Sequence, residues 1–371
     1  MIPYLISFML CVFFLFLWKK TSEKHKKLSR FFIVIALSIP ALLSAFRSYS
    51  VGVDTLVYQK PFFDIAKNYS SFTSYLGTQN TSSEVLYHLT TWISARYFSI
   101  QTLFFLLQIL TIVPIFIALN RTKNKNIVII GILFYLLFAF NESLNMARQS
   151  IALSFSVLAI SQLIDRKYIK TIIAAIVAIL FHSSAYMIIP VCALVMTLTS
   201  KLNKKTKTLF SLFIIIATFL ITTYLLNIIG ALSTFSESEV LNKYANYSNR
   251  FESVGFNIPL FAIWLIILLV TIAFTKASSK NDTRSLYILM STLYLASFFA
   301  NTIIHYSNRA FYYFSYPAII YLLPKTILEH TGIKNTKPLT LILTFILLAQ
   351  WILQNVYWNY NNTTPYILGN Y

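Results

Sequence analysis

Apolar runs separated by short basic clusters make up most of this chain, and no soluble core is built that way. The runs cover 2–18, 30–46, 101–119, 127–141, 147–164, 171–181, 184–199, 208–228, 258–275, 285–303, 310–324 and 338–355. They predict an all-α polytopic membrane protein of about 12 transmembrane helices, because only a helix or a closed barrel satisfies its own backbone inside a bilayer. Composition agrees: 57% of residues are hydrophobic and 11% charged, against roughly 25% charged in soluble domains. The first run is followed, not preceded, by Lys19 and Lys20, so it counts as a span and not as a cleavable signal peptide. Cys11 and Cys192 lie within apolar runs and fit lipid- or core-facing positions, not a disulfide or a metal site. No internal repeat or linker divides residues 1–371, which are expected to form a single transmembrane domain.

The charge follows the membrane. A net charge of +19 would invite a nucleic-acid reading, but its distribution argues otherwise. Lys19–Arg30, Arg121–Lys125, Arg166–Lys170, Lys201–Lys207, Lys276–Arg284 and Lys325–Lys337 recur at the spacing of one membrane hairpin and hold 22 of the 30 lysines and arginines. By the positive-inside rule these clusters are cytoplasmic loops, and no nucleic-acid partner is needed to explain them. Both termini are then outside, with 47–100, 142–146, 182–183, 229–257, 304–309 and the segment from 356. The stretch 84–98 is apolar enough to pass for another span, but a crossing there would put the later basic clusters outside. Val85, Leu86, Leu89, Trp92, Ile93 and Tyr97 form one stripe, while Glu84, His88 and Thr91 share the other face. An amphipathic helix lying on the outer surface is predicted.

Sorting the charges by side places the polar chemistry outside. The outer side holds Arg47, Arg96, Arg148, Arg250 and Arg309 with three lysines, whereas the inner side holds four arginines and eighteen lysines. Arginine suits bidentate contacts with phosphate or carboxylate. Two crossings and a turn need roughly 45 residues. Only 39 residues lie between Lys125 and Asp165, 30 between Lys170 and Lys201, and 40 between Arg284 and Lys325. The tips of these hairpins, at Asn141–Arg148, Phe181–Ser184 and His305–Arg309, are therefore expected below the outer surface, lining one outward polar cavity.

Each candidate also has a plain alternative. Arg148, with Gln149 beside it, either snorkels to the interface or anchors a phosphate. His182 is either a hydrogen-bonded structural histidine or a contact to a diphosphate or sugar. Arg309, flanked by His305 and Asn308, and Arg47, just beyond a span, are interfacial anchors or substrate ligands. Asp54 follows Gly52 and is a turn residue or a general base; Glu142 is a salt-bridge partner or part of the site. Glu237, Glu239 and Glu252 read as a solvated loop face. Outer tyrosines such as Tyr58 suit sugar stacking as well as the interfacial aromatic belt. No hydrolase elbow, phosphate-binding loop, HExxH or cysteine metal signature is present.

The segment Arg47-Ser48-Tyr49-Ser50-Val51-Gly52-Val53-Asp54-Thr55-Leu56-Val57-Tyr58 resembles the R…GxD…Y signature of EpsG-like, Wzy-type polysaccharide polymerases. Glu84, Ala147-Arg148-Gln149-Ser150-Ile151-Ala152, Phe181-His182-Ser183-Ser184-Ala185 and Arg309 follow in the family's order, so the resemblance covers most of the chain. Val53 departs from the pattern, where a small or hydroxylated residue is commoner. The resemblance implies a bundle like the metal-independent C-class glycosyltransferases, with no cofactor. It implies a polymerase joining undecaprenyl-diphosphate-linked oligosaccharides, as donor and acceptor, at the outer face of the bacterial cytoplasmic membrane. The product would be an O-antigen, capsule or exopolysaccharide, and a chain-length regulator protein would be a partner. Arg148, His182 and Arg309 would meet the diphosphate with Arg47 assisting, and Asp54 or Glu84 would orient or deprotonate the acceptor hydroxyl. Tyr58, Glu142, Gln149 and His305 would complete substrate binding.

Other readings remain open on sequence. An O-antigen ligase usually carries a large outer loop late in the chain, whereas the long loop here is early. A flippase or other transporter should show polar residues along its whole path and inverted repeats; the inner halves of most runs here are apolar. A membrane acyltransferase is weaker still, because His182 has no companion acid motif.

Overall fold

The computed structural model describes residues 1–22, 24–79, 84–233, 256–276, 283–302, 307–331 and 335–369, side chains of 219–233 and 307–308 aside. The helices are α1 Ile2–Thr21, α2 Lys26–Ala45, α3 Lys60–Lys67, α4 Phe72–Gly77, α5 Val85–Tyr97, α6 Ile100–Asn120, α7 Lys125–Phe138, α8 Phe140–Asn145 and α9 Ala147–Ile164. They continue as α10 Tyr168–Phe181, α11 Ile188–Thr199, α12 Lys204–Ser233, α13 Ile258–Phe274, α14 Thr283–Ala300, α15 Ser307–Tyr316, α16 Leu323–His330 and α17 Lys337–Trp351. Among the described residues there is no strand.

Each of the twelve apolar segments has its described residues mainly on helices, and among the described residues five helical stretches are long and apolar enough to cross a membrane: α1, α2, α6, α9 and Lys337–Tyr357. Shorter apolar helices include α7 and α10, each of 14 residues, or about 21 Å at 1.5 Å per residue. That falls short of a bilayer core of roughly 30 Å. Helix α12 runs a full turn past its expected end at 228, to Ser233. Most of the expected outer loop 229–257 and the His305 tip lie outside the described residues.

The bundle is polar-tolerant inside and apolar outside. Ile169, Ile172, Ile173 and Ile176 make an exposed stripe on α10, each more than half exposed, a surface no aqueous protein presents without a cover. Helix α9 lies innermost and buries Ser150, Ser154, Ser156 and Ser161 completely. Three of these hydroxyls, Ser154, Ser156 and Ser161, return to carbonyls of their own helix.

Local chemistry explains the irregular turns. Ser307–His330 is helical throughout, but Pro317 cannot donate to the preceding turn and Pro317–Leu322 widens to a π-helix. A second π-turn, Thr55–Gln59, precedes Pro61 at the start of α3. Close approach is made at Gly131 of α7, where an added Cβ would lie 2.7 Å from the Ile320 carbonyl oxygen and 2.4 Å from Leu119.

The two ends of the bundle differ in kind. At one end Lys19 bonds Asn126 (2.7 Å), Lys125 bonds Ser22, and Arg121 pairs with Asp165 at 2.5 Å. Three of the basic clusters therefore converge there. The loop after α2, α8, His182 and the segment after α17 gather at the other end, where the candidate site residues lie.

Candidate active site

The loop following α2 is built around Arg47. Its side chain is 1% exposed, stacked 4.2 Å over the Phe104 ring. It donates to the carbonyls of Ser44 (3.0 Å) and Leu144 (3.2 Å) and to Gln59 Oε1 (3.0 Å). This arginine is held by the protein itself and fixes the loop to α8. Gly52 turns the chain at φ 89°, where a Cβ would lie 3.1 Å from the Leu144 carbonyl oxygen. Asp54 follows, its backbone amide donating to Asn145 Oδ1 at 2.9 Å.

Helix α8 is itself anchored in the core. Ser143 Oγ donates to Gln108 Oε1 (3.0 Å), and Gln108 Nε2 donates to the Tyr135 hydroxyl (2.5 Å). This network joins α6, α7 and α8.

Glu84 stands at the N-terminus of α5 with its side chain 5% exposed. Its two carboxylate oxygens are divided. Oε2 takes Arg148 NH1 at 2.5 Å, and Oε1 meets His182 Nδ1. Arg148 opens α9 and His182 ends α10, so one buried carboxylate ties three separated segments. Burial alone would raise the Glu84 pKa. The His182 hydrogen bond and the Arg148 charge more than offset that and hold it at about 2. The Arg148 guanidinium lies over the rings of Tyr58 (5.0 Å), Tyr87 (5.2 Å) and Phe62 (5.7 Å), a cation–π box on its other sides. Arg148 and His182 stay partly open, with side chains 17% and 23% exposed.

Asp54 belongs to the same cluster. It is half-buried, and burial raises its pKa while the charges of Arg309, Arg148 and His182 counter that rise. Gln149 donates to the Arg309 carbonyl at 2.9 Å, tying α9 to α15. Glu142 is buried, accepting from the Tyr316 hydroxyl at 3.1 Å and from Tyr312. Its burial pushes the carboxyl up to about 7, against the lowering effect of those tyrosines and of Arg309. The structure thus brings Asp54, Glu84, Arg148, His182 and Arg309 to one place, with Tyr58 and Gln149 against them. Arg47 and Glu142 stand behind that surface, and His305 is outside the described residues.

The EpsG family model matches residues 30–368, nearly the whole chain. The chain belongs to the EpsG family. This is a family of Wzy-like polymerases, which makes the protein a membrane enzyme of polysaccharide biosynthesis at that general level. No curated protein and no solved structure matches.

Several contributors in this EpsG-family site were not singled out from sequence. Phe62 and Tyr87 complete the box around Arg148. Helix α5 turns its polar face inward: Tyr87, His88, Thr91 and Ser94 are buried, while Leu86, Leu89, Trp92 and Ile93 are half-exposed. His88 Nδ1 meets the Tyr75 hydroxyl at 3.1 Å, and burial depresses its pKa to about 4, so it packs as neutral imidazole behind the site. The one signal for α5 was the polarity of its face; nothing in the pattern named its partner.

Proposed function

We propose that this EpsG-family chain joins undecaprenyl-diphosphate-linked oligosaccharide repeat units at the outer face of a bacterial cytoplasmic membrane, forming an O-antigen, capsule or exopolysaccharide. The observation that carries this reading is the single carboxylate of Glu84 holding both Arg148 and His182 at a partly open surface. In the reaction, the acceptor sugar hydroxyl oxygen forms a bond to the donor's anomeric carbon. The bond from that carbon to the diphosphate oxygen breaks, and undecaprenyl diphosphate leaves with the bonding pair. The hydroxyl proton passes to Asp54.

The environments of the two carboxylates support this division. Glu84, held at about 2, is too weak a base to take a proton near neutrality; its work is to orient Arg148 and His182. Asp54, raised by burial, is the better base. Arg148, His182 and Arg309 would face the negative charge that develops on the leaving diphosphate, beside the buried Glu84 carboxylate that orients two of them. Arg47, whose terminal nitrogens bond the Ser44 and Leu144 carbonyls and Gln59, positions the loop that carries Asp54 and Tyr58.

The test is genetic. A deletion strain should still display single repeat units but no polymer. Complementation with wild type should restore polymer, whereas Arg148→Lys should leave activity down by about 10²–10³ at equal protein level, because lysine cannot keep the planar contacts to both carboxylate and rings. Complete loss of displayed sugar on deletion would instead indicate a flippase, and near-normal polymer from the lysine variant would remove Arg148 from the mechanism.

A further inference from the structure

The segment Trp358–Gly369 does not trail from the last helix. It turns back across the outer end of the bundle and pairs with the loop that bears Asp54. The Ser48 amide donates to the Ile367 carbonyl (2.8 Å), the Gly52 amide to the Asn362 carbonyl (2.8 Å), and the Gly369 amide to the Phe46 carbonyl (2.9 Å). Arg47 and Leu368 form an antiparallel bridge. On its other side, Thr363 Oγ1 accepts from Asn141 Nδ2 at 2.8 Å, and the Thr363 carbonyl accepts from the Tyr4 hydroxyl at 2.5 Å. Asn361, Thr363 and Thr364 are buried, whereas chain ends not tied down in this way stay exposed and poorly ordered.

These contacts close a circuit. Asn141 lies in the first turn of α8 and is itself fixed by Trp351 Nε1 (2.7 Å). The last turn of α8 supplies the Leu144 carbonyl to Arg47 (3.2 Å) and the Asn145 side chain to the Asp54 amide (2.9 Å). The Asp54 loop is therefore gripped twice, at Gly52 by the returning segment and at Asp54 by α8, and the segment holds both grips. The bonds of Glu84 to Arg148 and His182 do not pass through it.

We propose that Trp358–Gly369 is a positioning element of the reaction, setting Asp54 against the Glu84, Arg148 and His182 cluster, with Thr363 and Asn141 as the joint between segment and α8. The proposal rests on the reading of Asp54 as the base. Its consequence is a split: loosening the joint should cost turnover and spare recognition of the diphosphate.

The purified full chain in lipid nanodiscs allows the test, with lipid-diphosphate-linked repeat units as substrate and undecaprenyl diphosphate as binding probe. Thr363→Val removes the acceptor at nearly constant shape, and Thr363→Ser keeps it. The valine variant should lose about tenfold in kcat, the scale of one buried hydrogen bond, with KM and probe affinity unchanged. The serine variant should stay within about twofold of wild type on the same scale. On the residual activity of Asp54→Asn, adding Thr363→Val should cost nothing more, because the segment acts through Asp54. An additive loss in that double variant, a change in probe affinity, or equal kcat for valine and serine would each overturn the proposal. Hydrogen exchange separates this from the underlying reading. If Asp54→Asn leaves kcat untouched, the base assignment fails; the Gly52 and Asp54 amides still decide the segment's role. Lost protection in Thr363→Val upholds the segment as the element that holds this loop, and unchanged protection rejects it.

Discussion

Arg47 and Arg148 look alike in sequence, each an arginine at the end of an apolar run. Their surroundings separate them. Arg47 is satisfied by the Leu144 carbonyl, 97 residues away, and a backbone carbonyl carries no residue signature that a pattern can show. Arg148 takes a side chain, Glu84; each residue was a candidate in the sequence, but nothing there paired the two. The proposed division of roles, one carboxylate orienting and the other accepting a proton, was not legible, because it rests on burial and on neighbours drawn from α5, α9, α10 and α15. The Glu84 assignment has a pH consequence. Its pKa in the fold is about 2, below the ordinary carboxylate value, so its charge stabilises the fold fully above roughly pH 4.5 and that contribution is lost as pH falls toward the folded value. The stabilisation at neutral pH is about 3 kcal/mol by linkage. Thermal unfolding of the detergent-solubilised protein should show the wild-type midpoint falling across this window. Glu84→Gln should start lower at pH 7 and change little there. Parallel curves for the two proteins would place the acid sensitivity elsewhere.

Among the elements, long apolar helices were the easiest to read and helix faces the hardest. Helix α5 was expected from its two-sided pattern, and it forms at Val85–Tyr97. In a bundle bordered by lipid the usual rule inverts, so the polar face packs inward and delivers His88 and Thr91 to the protein side. The π-turns at Thr55–Gln59 and Pro317–Leu322 follow from prolines visible in the sequence, although hydropathy alone does not say whether a proline ends a helix or widens it. Close helix contact is subtler still. Gly131 of α7 faces Leu119 of α6 and the Ile320 carbonyl of the π-turn, and an added methyl has no room. Gly131→Ala should therefore lower stability by about 1–3 kcal/mol through forced separation of these helices. Gly77→Ala makes a suitable control, because nothing lies within 4 Å of its would-be Cβ. Equal midpoints for the two variants would mean that α7 and the π-turn give way freely at this contact.

For the whole molecule, the sequence separated two ends and the fold keeps them apart. Arg121 with Asp165, Lys19 with Asn126 and Lys125 with Ser22 make one end. Asp54, Glu84, Arg148 and His182 make the other. What could not be read was the return of the segment after α17, since Thr363 lies in no periodic pattern and its partners Asn141 and Tyr4 are 222 and 359 residues away. The proposed function depends on this sidedness, because a lipid-linked substrate already moved across the membrane could be used only at the outer end. The positive-inside rule puts the basic end in the cytoplasm, and the two exposed positions Lys205 and Ser70 lie in a basic cluster and in the loop region of the site respectively. Single cysteines at these positions, in a background with Cys11 and Cys192 replaced, can be challenged in intact cells with a membrane-impermeant maleimide. Labelling is expected at 70 and absent at 205 until the membrane is permeabilised. The opposite pattern would turn the molecule over, set the Glu84 cluster in the cytoplasm, and leave an outer-face polymerase without a site.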